Sequence, residues 1–191
     1  MNRREAISAV GFLVGGTVIG AEAFLSGCSS KPSSPSLNGV LTSDQIAFLD
    51  EVGETILPTT ATSPGAKEAR VGEFMDIMLK DCYSTPDQKI FLDGIATLDN
   101  ASKAKYDNGF VKLKPEEKHA LLLTIDGEAS KYKDTRRPED PETHYYSMMK
   151  QLTLLGYFTS EVGATKALNH VDVPGRYEAC VPLKPGQKAW S

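Results

Sequence analysis

Cysteine, histidine and tryptophan are scarce in this chain of 191 residues, which has three cysteines, three histidines and one tryptophan. No Cys-x-x-Cys-His sequence is present, which excludes the usual attachment site for a c-type haem. His119, His144 and His170 lack a metal-ligand spacing such as His-x-x-x-His. No glycine-rich phosphate loop follows a strand pattern. We therefore predict no catalytic residue, no metal site and no cofactor in this chain.

Positive charge is also in short supply, since 21 Lys and Arg face 25 Asp and Glu for a net charge of -4. A nucleic-acid-binding protein needs a cationic face for the phosphates, so this class is excluded. The hydrophobic share of 40% and the charged share of 24% are typical of a globular protein. A disordered or fibrous chain is excluded on the same numbers.

The N-terminus has the parts of an export signal. Arg3 and Arg4 precede an uncharged, glycine-rich run over residues 9–21, which is shorter than the roughly 20 apolar residues of a membrane span. We predict that residues 1–27 are this signal. The adjacent arginines resemble the twin-arginine signal, which exports folded proteins. An ordinary export signal with two arginines by chance is the alternative.

Leu25-Ser26-Gly27-Cys28 resembles the bacterial lipobox, in which the cysteine is lipidated and becomes the first residue after cleavage. We predict that Cys28 carries a lipid anchor that holds the protein on the periplasmic side of the cell envelope. The Ser/Pro-rich residues 28–40 then form a tether between the membrane and the folded domain. A chance cysteine in a linker is the alternative.

Hydrophobic periodicity predicts one all-α domain of five to six helices over residues 41–191. The first predicted helix begins at Thr42, which has a capping-box partner in Gln45. The second follows a loop over residues 59–69 and is marked by Phe74, Ile77, Met78 and Cys82. The others begin at Thr85, at Pro115, near Tyr145 and at Thr159. The inward stripe of the fifth helix is predicted to be Tyr145, Met148, Leu152 and Leu155. From Val171 onward, prolines and glycines exclude a helix and predict an extended C-terminal tail packed over the helices.

Two cysteines remain once Cys28 is assigned to the lipid. Export to an oxidising compartment predicts a disulfide between Cys82 and Cys180. Closing a loop of this length would stabilise the domain by about 4 to 5 kcal/mol on the chain-entropy model. The alternative is a pair of reduced cysteines that act as small apolar residues.

Several separated blocks of the sequence resemble one known family. Residues 150–163, Lys-Gln-Leu-Thr-Leu-Leu-Gly-Tyr-Phe-Thr-Ser-Glu-Val-Gly, look like the signature of the gluconate 2-dehydrogenase subunit 3 family. Residues 173–183 are similar as well, and so are the shorter blocks 54–59 and 81–83. The resemblance extends over about residues 41–185, nearly the whole predicted domain.

This resemblance implies a non-catalytic small subunit of a membrane-associated, FAD-dependent dehydrogenase of sugars or sugar acids. FAD then belongs to the large subunit, and a cytochrome c subunit with haem c often accepts the electrons. The small subunit is expected to assist export, maturation and membrane association of the large subunit. A stand-alone helical envelope lipoprotein, acting as a ligand-binding or scaffold module, is the alternative function.

The predicted contact with the large subunit lies in the aromatic and Pro/Gly segments near the C-terminus. Its candidate residues are Gly156, Tyr157, Phe158, Pro174, Tyr177 and Trp190. Aromatic residues are enriched both in interfaces and in protein cores, so the same residues equally fit the packing of the chain on itself.

Overall fold

The computed structural model describes residues 39–141, 143–173, 175–176, 180–182 and 184–190. Over these residues the chain forms five α-helices: α1 (Ser43–Ile56), α2 (Val71–Cys82), α3 (Thr85–Tyr106), α4 (Pro115–Thr135) and α5 (Tyr145–Thr159). A 3-10 turn at Phe110–Lys112 precedes α4, and a π-helical segment at Gly163–Ala167 follows α5. The all-α prediction is confirmed. Arg3, Arg4 and Cys28 lie outside the described residues, and the division into signal, tether and domain stays a prediction.

Local sequence signals set most helix starts. Thr42 caps α1 through a capping box, because its hydroxyl accepts the Gln45 N–H at 3.3 Å and the Gln45 side chain accepts the Thr42 N–H at 2.8 Å. Ser84 caps α3, and Pro115 opens α4. Helix α2 follows the loop predicted over residues 59–69. It begins after Arg70, which is in the left-handed conformation with φ 53°, and no side chain caps it.

Helix α5 lies at the centre of the bundle and contacts all four other helices. Its buried side chains are Tyr146, Met148, Met149, Leu152, Thr153 and Tyr157, together with the backbone at Gly156. They pack against a core that includes Leu49, Val52, Met75, Leu79, Phe91, Leu98 and Ile125. Full burial of each large apolar side chain stabilises the fold by about 1.5 to 3 kcal/mol. The predicted inward stripe is wrong at Leu155, which is 42% exposed.

Two glycines let α5 lie close to its neighbours. A Cβ atom added at Gly94 of α3 would come within 2.4 Å of Tyr145, and one added at Gly156 would come within 2.6 Å of the Phe74 ring on α2. Contacts this short exclude any side chain at these two positions without movement of the neighbouring element. The crossings of α5 with α3 and with α2 are therefore fixed by glycine.

Asp76 of α2 holds the chain where it enters α1. This carboxylate is buried, and one of its oxygens accepts the backbone N–H groups of Val40 and Leu41, both at 2.8 Å. Leu41 itself is fully buried. The carboxylate thus supplies the acceptor for two amides that lie beyond the reach of the α1 ladder.

The chain turns sharply after α5, and where a short sixth helix was predicted from Thr159 to near Leu168 it forms the π-helical segment Gly163–Ala167. The described residues beyond that segment contain no helix. The Ser160 hydroxyl donates to the Tyr157 carbonyl at 2.7 Å and accepts the Gly163 N–H at 3.0 Å. Beyond the π-helical segment, an isolated parallel bridge pairs Asn169 with Trp190. The prediction of a non-helical tail holds for its described residues. Packing of the tail over the helices was predicted for Tyr177, Val181, Leu183 and Trp190. It is wrong for Val181 and Trp190, which are 57% and 61% exposed, and the other two lie outside the described residues.

The predicted disulfide is not present in the structure, where Cys82 and Cys180 are both free and exposed. The Cys82 Sγ instead lies 4.0 Å from the Met78 Sδ on its own helix. Elimination identified the two cysteines available to pair, but a bridge also needs their Cα atoms within about 7 Å. That distance depends on the path of the tail, which the sequence does not determine.

None of the helices in the described ranges contains a stretch that is both long and apolar enough to cross a membrane.

Candidate functional site

Exposed apolar side chains are concentrated in the last quarter of the chain. Of the ten large hydrophobic residues that are exposed in the described part, three are spread over α2, the 3-10 turn and α4. The other seven all follow residue 153, and we call them the C-terminal apolar residues: Leu154, Leu155, Phe158, Val171, Val173, Val181 and Trp190. A contiguous exposed apolar patch marks an interaction site in soluble proteins, whereas single exposed residues do not, so neighbouring residues of this set are the informative ones.

Three of the C-terminal apolar residues lie on the outer side of α5. Leu154 and Phe158 are four residues apart and Leu155 lies between them, so all three project from one side of the helix. Their exposed fractions are 38%, 38% and 42%, in the order Leu154, Phe158, Leu155. The Phe158 ring is positioned by an edge-on contact with the Tyr157 ring, at a centroid distance of 5.1 Å. The outer side of α5 is therefore apolar near its C-terminal end, whereas Lys150 and Gln151 lie one turn earlier on the same side.

Backbone contacts hold Trp190 near the end of the π-helical segment. The Asn169 N–H donates to the Ala189 carbonyl at 2.8 Å. The Lys188 ammonium donates to the Lys166 carbonyl and, at 3.5 Å, to the Thr62 carbonyl. The Trp190 side chain stays 61% exposed despite these contacts. These hydrogen bonds hold the C-terminal segment in place, while the Trp190 side chain remains exposed.

The structure divides the predicted interface residues into three groups. Gly156 and Tyr157 are buried, and the Tyr157 hydroxyl donates to the Pro64 carbonyl at 2.5 Å, so these two residues pack the chain on itself. Phe158 and Trp190 are exposed. Pro174 and Tyr177 lie outside the described residues.

Sequence reasoning missed five of the C-terminal apolar residues, which are Leu154, Leu155, Val171, Val173 and Val181. The signal for Leu154 was present, because it lies one turn before Phe158 and opposite the predicted inward stripe. No equivalent signal exists in the tail, where an irregular backbone removes the periodicity.

The block 150–163 that carries the family resemblance is a packing and turn element. Gly163 lies at the turn after α5, where an added Cβ atom would come within 1.9 Å of the Tyr157 carbonyl oxygen. Together with the Ser160 hydrogen bonds, this contact requires glycine at position 163. The block therefore forms the end of α5 and the turn that leads the chain into the tail.

A groove with charged side chains in its walls lies between α1, α4 and α5. It consists of two cavities of about 150 Å³ and 390 Å³ that share Thr55 and His119 in their walls. Inside it, the Lys118 ammonium contacts the Glu51 carboxylate at 2.8 Å, and the Lys150 ammonium contacts both Asp126 oxygens at 2.8 and 2.9 Å. These pairs join α1 to α4 and α4 to α5.

The Glu51 carboxylate is held in its ionised form. Partial burial alone raises its pKa, but hydrogen bonds from Lys118 and Lys67 outweigh the burial, so the net pKa lies below its ordinary value. A carboxylate held ionised between two lysines is unsuited to general acid catalysis. Elsewhere, His170 and Asp172 form an exposed pair at 2.8 Å. No group of three or more His, Cys, Asp or Glu that could hold a metal occurs within the described ranges.

The sequence model of one protein family, described as Gluconate 2-dehydrogenase subunit 3, matches residues 43–175. The match covers more than half of the 191 residues and extends from the first residue of α1 into the tail. The comparisons with curated proteins and with solved structures found no match.

Proposed function

We propose a specific role for this chain, which belongs to the gluconate 2-dehydrogenase subunit 3 family. As a member it is an accessory subunit of a dehydrogenase complex. In our proposal the large partner is an FAD-dependent dehydrogenase of sugars or sugar acids. The small subunit assists its export, its maturation and its attachment to the membrane. FAD is carried by the large subunit, and haem c by a cytochrome c subunit where one is present.

The observation that carries this proposal is the exposure of the C-terminal apolar residues. Leu154, Leu155 and Phe158 form an apolar side of α5 that faces away from the core, and Trp190 adds a second aromatic side chain. Interface centres are enriched in aromatic residues that fill pockets of the partner. We therefore propose the outer side of α5 and the Trp190 segment as the surface that binds the large subunit.

The alternative function, a stand-alone lipoprotein with a bound ligand, is best supported by the groove between α1, α4 and α5. The charged side chains there are already engaged with one another, as Lys118 with Glu51 and Lys150 with Asp126. A ligand would have to replace these contacts. We therefore favour the subunit function.

Export of the large subunit tests the proposed function in cells. Deleting the gene of this chain is expected to leave the large subunit in the cytoplasm or inactive. In our proposal the export signal of this chain, residues 1–27 with Arg3 and Arg4, carries both subunits. Returning the chain with Cys28→Ala is expected to restore export while the complex loses its membrane anchor. Cell fractionation with an activity assay measures both effects, and mass spectrometry of the wild-type chain should find acylated Cys28. Normal export and activity in the deletion strain would contradict the proposal.

A further inference from the structure

His144 occupies the junction between the α4–α5 loop and α5. It is the residue immediately before the helix, and its Nδ1 atom accepts the Tyr146 N–H at 3.2 Å. A ring nitrogen can accept a hydrogen bond only while it carries no proton, so this contact requires the neutral imidazole. The helix at the centre of the bundle thus begins with a cap that can titrate, in the place where Ser, Thr, Asp or Asn is usual.

Two tyrosines enclose the His144 ring. Tyr132 of α4 meets it edge-on at a centroid distance of 5.1 Å, and Tyr145 lies against it at 4.4 Å. The Tyr132 hydroxyl also donates to the Pro141 carbonyl at 2.9 Å, which holds the loop against α4. Tyr145 rests on Gly94 of α3. The ring therefore lies where α3, α4, the loop and α5 meet.

Burial and a nearby charge act on the His144 ring in opposite directions. Burial lowers the pKa of His144, and the negative charge of Glu128 on α4 opposes this without reversing it. His144 and Arg136 lie in the wall of one cavity of about 430 Å³. Asp140 on the loop is engaged with Arg137. Tyr145 stays neutral at mild pH, because burial raises its pKa to about 12.

We propose that His144 is a proton-sensitive cap, which fastens the first turn of α5 at neutral pH and releases it in mild acid. Protonation removes the acceptor of the Tyr146 N–H and places a positive charge at the positive end of the helix dipole. Both effects weaken the first turn. Because the pKa of His144 is lower in the folded chain than in the unfolded chain, its stabilising contribution is complete above about pH 6.5. The contribution is lost as the pH falls through the folded value.

Hydrogen exchange at the Tyr146 amide tests this cap directly. We expect the protection of this amide, corrected for the intrinsic exchange rate, to fall about fivefold in the purified wild-type chain when the pH drops from about 7.5 to 5. His144→Asn keeps a side-chain acceptor at the cap position but does not titrate, so its protection should stay constant. His119→Asn is the matched control, because His119 is exposed and caps no helix in the described part of the chain.

Two results would overturn the proposal. One is an equal fall of protection in wild type and in His144→Asn, which would assign the pH effect to another group. The other is an NMR titration of the wild-type His144 ring with a midpoint at or above its ordinary value, about 6.5. Loss of the pH effect in His144→Asn, with the effect retained in His119→Asn, supports it. The proposal concerns the chain alone and does not depend on the large subunit.

Discussion

Replacing Leu154 and Phe158 together by aspartate is expected to weaken binding of the large subunit at least about 100-fold, which corresponds to about 2.7 kcal/mol. Both side chains are 38% exposed on the outer side of α5, so the two carboxylates stay hydrated in the free chain. In the complex they would be buried without a partner, and burying an unpaired charge costs several kcal/mol. The free chain loses stability as well, because each replacement removes the buried part of an apolar side chain and the carboxylate at position 158 lies in the last turn of α5, at the negative end of the helix dipole.

A pull-down of the large subunit with tagged variants measures this effect. Leu123→Asp is the matched control, because Leu123 is 58% exposed on α4 and lies outside the C-terminal apolar residues. The control should bind like wild type. Circular dichroism and thermal unfolding establish that each variant is folded. If the folded double variant retained wild-type affinity, the outer side of α5 would not be the docking surface.

Asp76→Ala is expected to lower the free energy of unfolding by about 2 to 4 kcal/mol. The substitution removes the acceptor of two backbone N–H groups, those of Val40 and Leu41, and each buried amide left without a partner costs about 1 to 3 kcal/mol. For a domain of this size the melting temperature should fall by about 5 to 15 °C. Asp76→Asn should lose less, because its amide oxygen can take the place of the single carboxylate oxygen that accepts both hydrogen bonds.

Urea unfolding of the purified chain, followed by circular dichroism, measures the loss at Asp76. Asp81→Ala is the control on the same helix, since Asp81 is exposed and its loss should change stability by no more than about 0.5 kcal/mol. Equal unfolding midpoints for Asp76→Ala and Asp81→Ala would show that the Asp76 carboxylate does not hold the entry to α1.

Sequence signals predicted the starts of α1, α3, α4 and α5 because these starts are set by neighbouring residues. Thr42 with Gln45, and Pro115 in its helix, act over a single turn. The sequence places the start of α2 only as following the loop over residues 59–69, since no side chain caps it and Arg70 adopts a left-handed conformation that no local residue pattern indicates. The packing of α2 on α1 supports that start instead, and no short stretch of the sequence indicates this packing.

Helix α5 shows a second limit on what the sequence predicts. Periodicity locates an apolar face to within about one residue, and the predicted stripe through Tyr145, Met148, Leu152 and Leu155 was displaced from the observed one. The predicted stripe therefore included Leu155, which is exposed, and did not include Tyr157, which is buried. Aromatic side chains suit a core and an interface equally well, so only the three-dimensional packing assigns Tyr157 to the first and Phe158 to the second.

A small subunit of a flavoprotein dehydrogenase, the role proposed for this chain, should be purified together with its large partner. Purification of the tagged wild-type chain from the membrane fraction, followed by mass spectrometry and an absorption spectrum, is the most direct measurement. We expect one large FAD-dependent dehydrogenase in constant ratio to this chain, a flavin spectrum, and oxidation of a sugar or sugar acid by the purified complex. A chain that is recovered alone, without flavin, from cells that contain active dehydrogenase would contradict the proposed role.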